Sequence, residues 1–332
     1  MSFLQAILEL VHQDPGDRGL ARQEVNLLTE TAGHYEQACN SLSHPGGVVL
    51  LTGFFIPTAE PPGPETDGPP GAIHLARVLT RLGFKVAIAA ESYCHDALRA
   101  GLEYWGLLEQ VPLLVAPLQP ADQFTQDFWH LATKAVGEVT HWISIERAGP
   151  SHTVDTLREQ PQFESQDLEH FLAITKPGKR GRILTMSGHD ITEQTSPLHL
   201  LFEKSFSQDH GITRIGIGDG GNEIGMGAIP WQVIQQNIQN GGEIACAIPA
   251  DFLLVAGVSN WGAWALSALL LHQRHIVPGD FFDSDRQQEM LALMVKKGNL
   301  VDGRTGEKSA TVDGLNWAIH ANILRGIQSR WR

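Results

Sequence analysis

Apolar residues in this chain gather into short runs that end abruptly in Gly and polar residues. Gly47 to Phe55 (GVVLLTGFF), Phe84 to Ala90 (FKVAIAA), Val111 to Ala116 (VPLLVA), Thr140 to Ile145 (THWISI), Thr213 to Gly218 (TRIGIG) and Asp251 to Ala256 (DFLLVA) each predict a strand. Runs this apolar belong to strands covered on both faces. Arg182 to Met186 is a further short candidate. Between the runs the apolar period lengthens to that of a helix: Ala72 to Leu82, Ala97 to Tyr104, Phe124 to Gly137, Ala263 to Leu271, Ser284 to Lys297 and Leu315 to Ile327. In residues 1–44, Phe3, Ile7 and Leu10 share a helix face, and a helical period from Ala21 to Cys39 follows a DPGDRG turn. This alternation predicts an α/β fold, a mostly parallel sheet with helices on both faces in a Rossmann-like three-layer arrangement. No domain boundary is evident, so residues 1–332 are expected to form one domain, with 1–44 a helical extension packed on it.

Right-handed crossovers place the C-terminal ends of all parallel strands on one edge. The polar residues fall at those ends: Thr52-Gly53, Glu91, Glu146-Arg147, Asp219 and Ser259-Asn260. Ligands of open α/β sheets bind outside that edge. The densest stretch is TRIGIGDGGNEIGMG, Thr213 to Gly227, where six of fifteen residues are Gly. A plain turn needs one or two. A strand ending at Gly218 would hold Asp219, Asn222 and Glu223 on a tight turn, with Gly220 and Gly221 allowing close approach to the main chain. Two carboxylates and an amide on one turn suit acid/base chemistry or metal binding. The loop Ile56 to Ala72 carries six prolines and leads into a helix. It is expected to wall the site, with Asp67 either a ligand or a turn residue.

Charge and composition narrow the partners. The formal net charge of −13 argues against nucleic acid and leaves a small-molecule substrate. Three widely spaced cysteines, Cys39, Cys94 and Cys246, make neither a zinc knuckle nor a disulfide framework and fit a cytoplasmic location. The N-terminus lacks the basic start and long apolar core of a signal peptide, and no apolar run reaches the ~20 residues of a membrane span.

Gly216-x-Gly218-x-x-Gly221 has the spacing of a dinucleotide fingerprint. Asp219 sits where a pyrophosphate would lie, and no clear acid follows at the expected distance. No phosphate-binding loop ending in Lys and no nucleophile elbow is present. Arg147 at a strand end is placed to hold a carboxylate bidentately, or to pair with Glu146 on the rim. A site for Mg²⁺ or Mn²⁺ from Asp219, Glu223 and Asp302 stays open beside metal-free catalysis. Asp302 and Asp313 either enter the site or only cap and turn.

GDGGNEIGMG at Gly218 to Gly227 resembles the signature of the D-glutamate cyclases. Four other stretches agree in order: TGFFIP…ETDGPPGA, IERAGP, GVSNWGAWAL and LVDGRTGEKSATVDGL. The similarity covers nearly the whole chain. It departs after IERAGP, where SHTVDT replaces a Gly-rich, aromatic continuation. Animal members carry an extra N-terminal region and reside in mitochondria. The implied reaction converts D-glutamate to 5-oxo-D-proline and water; no cofactor is expected for it, and the residues alone keep Mn²⁺ or Mg²⁺ open. For that chemistry Asp219 and Glu223 are the expected acid and base, and Asn222 and Asn260 hydrogen-bond the substrate. Arg147 clamps a carboxylate, Asp67 and Glu146 bind the ammonium, and Ser259, Gly220 and Gly221 line the site. A homo-oligomer is compatible with the chain. The alternatives are an α/β enzyme using the Gly turn for a nucleotide phosphate, and a non-catalytic amino-acid-binding protein.

Overall fold

A computed structural model describes residues 1–119, 121–203, 206 and 210–331. Its strands are β1 (Gly47–Thr52), β2 (Phe55–Ile56), β3 (Gly63–Pro64), β4 (Lys85–Ala90), β5 (Leu113–Val115), β6 (Val139–Ile145), β7 (Thr213–Gly218) and β8 (Phe252–Val255). Six of them form one sheet in the order β5-β4-β1-β6-β7-β8, every pairing parallel. The short β2 and β3 pair antiparallel on their own. The chain winds outward from β1 through β4 to β5, then returns to lay β6, β7 and β8 on the other side. The order therefore reverses between β1 and β6, which opens a crevice at their C-terminal ends.

Side-chain alternation divides the core. Val48, Leu50, Ile88, Ile143, Ile145, Ile215, Ile217 and Leu254 face one layer, built mainly from helices Phe3–Val11, Pro69–Arg81, Ser92–Tyr104, Ser259–Gln273, Ser284–Gly298 and Trp317–Ser329. Val49, Leu51, Ala87, Ala89 and Trp142 face the opposite layer, with helix Phe124–Val136 and the turn Leu198–Phe202. Leu253 and Val255 meet a third cluster around Leu20, Phe171, Met226 and Trp231. The period of two in these strands is what lets one sheet serve both layers. Helix Ser259–Gln273 is buried from Ser259 to Leu271, so it has no polar face for a period to reveal.

The expected strands appear with shortened ends. The run Gly47 to Phe55 stops at Thr52 because Gly53 turns at φ +105°. Arg182 to Met186 is not a strand: only isolated bridges, Pro150 to Ile183 and Leu184 to Asp190, form there. The helical period from Ala21 to Cys39 is also broken. Helices Leu27–Glu30 and His34–Ser41 are separated at Gly33, whose φ is +86°. Residues 12–26 form a loop, and it carries a functional consequence.

Candidate functional site

Two cavities of about 320 Å³ stand out. One lies by helix Phe124–Val136, largely apolar and with Asp127 its only described acid. The other opens at the strand-end edge and is lined by Arg18, Glu65, Glu146, Arg304 and Asp313, among others. Convergent charged groups single out the second.

The glycine turn lies behind Arg18 and Glu146, which line the cavity, and puts none of its own residues on the lining. After β7, Glu223 folds back so that its Oε1 accepts hydrogen bonds from the backbone N–H of Asp219 (3.0 Å) and Gly220 (2.6 Å). Gly221 makes the return at φ +93°, where an added Cβ would lie 2.9 Å from Ile234. These N–H groups are the ones a phosphate would need, and Glu223 already occupies them. The fingerprint-like spacing also follows the fifth strand of the sheet in chain order; in dinucleotide-binding folds it follows the first. Beyond β6 the chain runs antiparallel to the turn. Ile224 donates its N–H to the Arg147 carbonyl (2.8 Å), and Gly149 donates to that of Asn222 (3.0 Å). This pairing brings Glu146 beside Glu223. Glu146 adopts a left-handed φ of +44°, a conformation non-Gly residues rarely hold without support. The Ser259 hydroxyl donates to Glu146 Oε2 at 2.6 Å.

The proline loop supplies Ile56, Thr58 and Glu65 to the lining, and behind them its Asp67 is held on the N-terminus of helix Ser259–Gln273. Asp67 Oδ2 accepts from the N–H of Ser259 and its Oδ1 from that of Asn260, each at 2.8 Å. Asp219 Oδ2 accepts from the same Ser259 N–H at 3.2 Å. Both carboxyls thus face the positive end of a fifteen-residue helix. Asn260 serves the backbone: its Oδ1 accepts from Gly68 (3.1 Å) and Gly71 (2.7 Å), and its Nδ2 donates to the Thr66 carbonyl (3.2 Å). Asn222 Nδ2 donates to the Leu184 carbonyl at 2.7 Å, leaving its buried Oδ1 without a partner.

Arg147 differs from the expected clamp. It is fully buried and points away from the cleft. It donates to both oxygens of Glu91 (3.0 and 2.5 Å) and to the carbonyls of Thr52 and Ser196. The chain leaves strand geometry at the left-handed Glu146, which puts the acid on the cavity lining while Arg147 is buried in the core. Asp302, named as a metal candidate, spends its carboxylate on the N–H groups of Arg304, Thr305 and Gly314. That ties the C-terminal loop and presents Asp313, which enters the site at a left-handed φ of +58°. The SHTVDT segment forms a capping box at Thr153 and starts helix Val154–Arg158, away from the cavity lining.

The group that the sequence reading passes over is Arg18. Asp14 accepts from the N–H of Arg18, Gly19 and Leu20, which fixes the DPGDRG turn. The turn projects Arg18 among the carboxyls. Nη1 lies against Asp219 Oδ1, and Nη2 is 2.5 Å from Asp313 Oδ1. Burial works against the Arg18 charge, but Asp313, Glu146, Asp67 and Glu65 outweigh it and raise its pKa. Glu65 is also new; it is held by a bridge between its own backbone and Val301. A lone Arg in a Gly-Pro turn far from any strand end gives no periodic signal.

Glu65, Asp67, Glu146, Asp219, Glu223, Asp302 and Asp313 are all buried. Burial, with repulsion from Asp313, pushes the Asp67 carboxyl up to about 8, against the pull of Arg18 and two N–H donors. Burial and neighbouring acids hold Glu65 and Glu146 well above the usual carboxylate range. Burial likewise raises Glu223 and Asp313, although Arg18 opposes it at both. Such a set keeps some carboxyls protonated beside others that are ionised, the arrangement acid/base catalysis needs.

Comparison with known proteins agrees with this architecture. A family model described as D-glutamate cyclase-like, C-terminal, matches residues 7–328. The chain is 29% identical over 360 residues to the Homo sapiens protein named D-glutamate cyclase, mitochondrial. The match covers 98% of this chain and 52% of that relative, so the chain spans about half the relative's length. With the family model matching almost from end to end, this chain belongs to the D-glutamate cyclase-like family.

Proposed function

We propose that this chain cyclises D-glutamate to 5-oxo-D-proline with loss of water, as a hydro-lyase. The observation that supports it most is the set of buried carboxyls around Arg18 at the β1–β6 crevice. In the reaction the α-nitrogen bonds to the γ-carbon, and one γ-carboxylate oxygen leaves. The ammonium gives up two protons, and both end on the departing oxygen as water. A base near the nitrogen and an acid near the oxygen are therefore required. Asp219, against Arg18 and a helix N-terminus, takes the role of base. Glu223, raised by burial, and Glu146, raised by burial and by Glu223 beside it, supply the acid. Arg18 and Arg304 are the cations on the cavity wall for the substrate carboxylates. Holding the chain of the substrate folded adds the proximity contribution.

No described helix is long and apolar enough to cross a membrane. The free buried thiols suit a reducing cytoplasm.

The test is chiral chromatography of 5-oxoproline formed from D- and L-glutamate. The expected result is turnover of the D-enantiomer that falls at least about a hundredfold in Asp219→Asn and in Glu223→Gln. Wild-type rates in both variants would refute the assignment. Tight D-glutamate binding with no product would replace the enzyme by a binding protein.

A further inference from the structure

We propose that Glu146, Asp219 and Glu223 bind one divalent cation, Mg²⁺ or Mn²⁺, with the Asn222 side-chain oxygen as a neutral fourth ligand. Two overlapping acid triads exist among the described residues: Asp67–Asp219–Asp313 and Glu146–Asp219–Glu223, and in each the ligand oxygens lie within 4.8 Å of one another. An octahedral site with metal–oxygen bonds of about 2.1 Å spaces its oxygens roughly 3.0 to 4.2 Å apart, so little movement is needed.

The two triads are not equivalent. Arg18 touches Asp219, which both triads share, and Asp313, so the first triad has two of its acids paired with it and the second only one. In the second, Glu223 Oε2 is buried and has no hydrogen-bond partner. Asn222 adds an independent observation. Its amide orientation is fixed by the Leu184 carbonyl, which takes the Nδ2 hydrogen. Its Oδ1 is then left buried without a donor. A Cβ on Gly220 would meet Glu223 Oε1 at 3.0 Å and Asn222 Oδ1 at 3.1 Å, so the turn gathers both side chains at one point. A buried acceptor without a donor costs roughly 1–3 kcal/mol; a cation satisfies both orphans at once. The donors are all oxygen, with no His or Cys in either triad, which selects a hard ion over zinc.

The catalytic role of the ion rests on the cyclase reading and changes one part of it: with the ion bound, Glu146 and Glu223 are ionised ligands, and the ion, in place of their protons, would neutralise the γ-carboxylate and make its carbon electrophilic. Its binding does not rest on that reading. The experiment titrates EDTA-stripped whole protein with Mn²⁺, without substrate, by electron paramagnetic resonance and calorimetry. One ion per chain is expected. Glu223→Gln and Glu146→Gln each weaken it at least about tenfold, with melting curves confirming folded protein. Asp313→Asn, which removes no ligand of this triad, weakens the binding less than either Gln variant.

Absence of Mn²⁺ and Mg²⁺ binding to the wild type up to about 1 mM overturns the site. Undiminished binding by both Gln variants overturns it too, as does loss in Asp313→Asn alone. Mn²⁺ binding without 5-oxoproline formation would sink the cyclase reading and leave the site standing. Full turnover by metal-free protein that binds no Mn²⁺ would do the reverse.

Discussion

Replacing Arg147 by Met tests whether this residue holds the fold or the substrate. The side chain is fully buried and paired to Glu91, itself fully buried, through two hydrogen bonds of 3.0 and 2.5 Å. The same guanidinium joins the ends of β1 and β4 to the Ser196 carbonyl. Met keeps much of the volume but leaves the Glu91 carboxylate unpaired in the core. Breaking a buried pair from one side costs about 3–5 kcal/mol. With an unfolding entropy near 2.1 cal/mol/K per residue, 332 residues give about 0.7 kcal/mol per kelvin. The melting temperature should therefore drop by roughly 4–7 °C. Glu91→Gln combined with Arg147→Met should recover a large part of that drop, because the stranded charge is removed. Calorimetric melting of the two single variants and the double variant closes the cycle. In the fraction that folds, KM for D-glutamate should stay within about threefold of wild type. An unchanged melting temperature with KM raised about a hundredfold would show Arg147 on the substrate and refute this account.

Two further outcomes follow from the structure. His74 is buried, accepts at Nδ1 from Gln287 Nε2 (3.0 Å), and burial lowers its pKa from 6.5 to about 3. Its neutral form therefore stabilises the fold above pH 6.5, and that contribution is lost as pH falls toward 3, at up to about 1.4 kcal/mol per pH unit; urea midpoints from pH 8 to 5 should fall less steeply in His74→Gln, and parallel curves would contradict the assignment. Gly221→Ala should destabilise by about 1–3 kcal/mol, since φ is +93° and the new methyl meets Ile234 at 2.9 Å; an unchanged midpoint would mean that the turn relaxes freely.

The sheet was readable because five of its strands are almost wholly buried and leave long apolar runs, with only the edge strand β5 partly exposed, and β7 begins and ends where its run does. The strand-end rule also located Asp219, Glu146 and Ser259 at one edge. It failed for Arg147 because the backbone leaves strand geometry at Glu146, and a left-handed non-glycine residue directly after Ile145 leaves no mark in the sequence pattern. Asn260 was readable as a site residue but not as a staple, since the partners of its amide, Gly68 and Gly71, belong to a loop about 190 positions away. Arg18 and Glu65 were invisible for a related reason. Each is placed by backbone hydrogen bonds of an irregular loop, which have no period.

The closing step is the charge balance. Each carboxyl in the crevice has a local reason to be there: Glu223 is held by N–H groups of its own turn, Asp67 and Asp219 by a helix N-terminus, Asp302 by the loop it ties. None of these reasons accounts for all of them being together, and burial, with repulsion from neighbouring acids, raises Glu65 and Glu146 above their usual range. Structural stability alone would favour apolar replacements at such positions. A function is the remaining cause, and Arg18 cannot satisfy it alone, because its ion pairs among the described residues reach only Asp219 and Asp313. An acidic substrate entering this crevice would add negative charge to an already acidic wall. It would be attracted only if protons or a cation first turned part of that wall neutral, so proton placement and metal loading, more than the number of substrate contacts, set whether the site works.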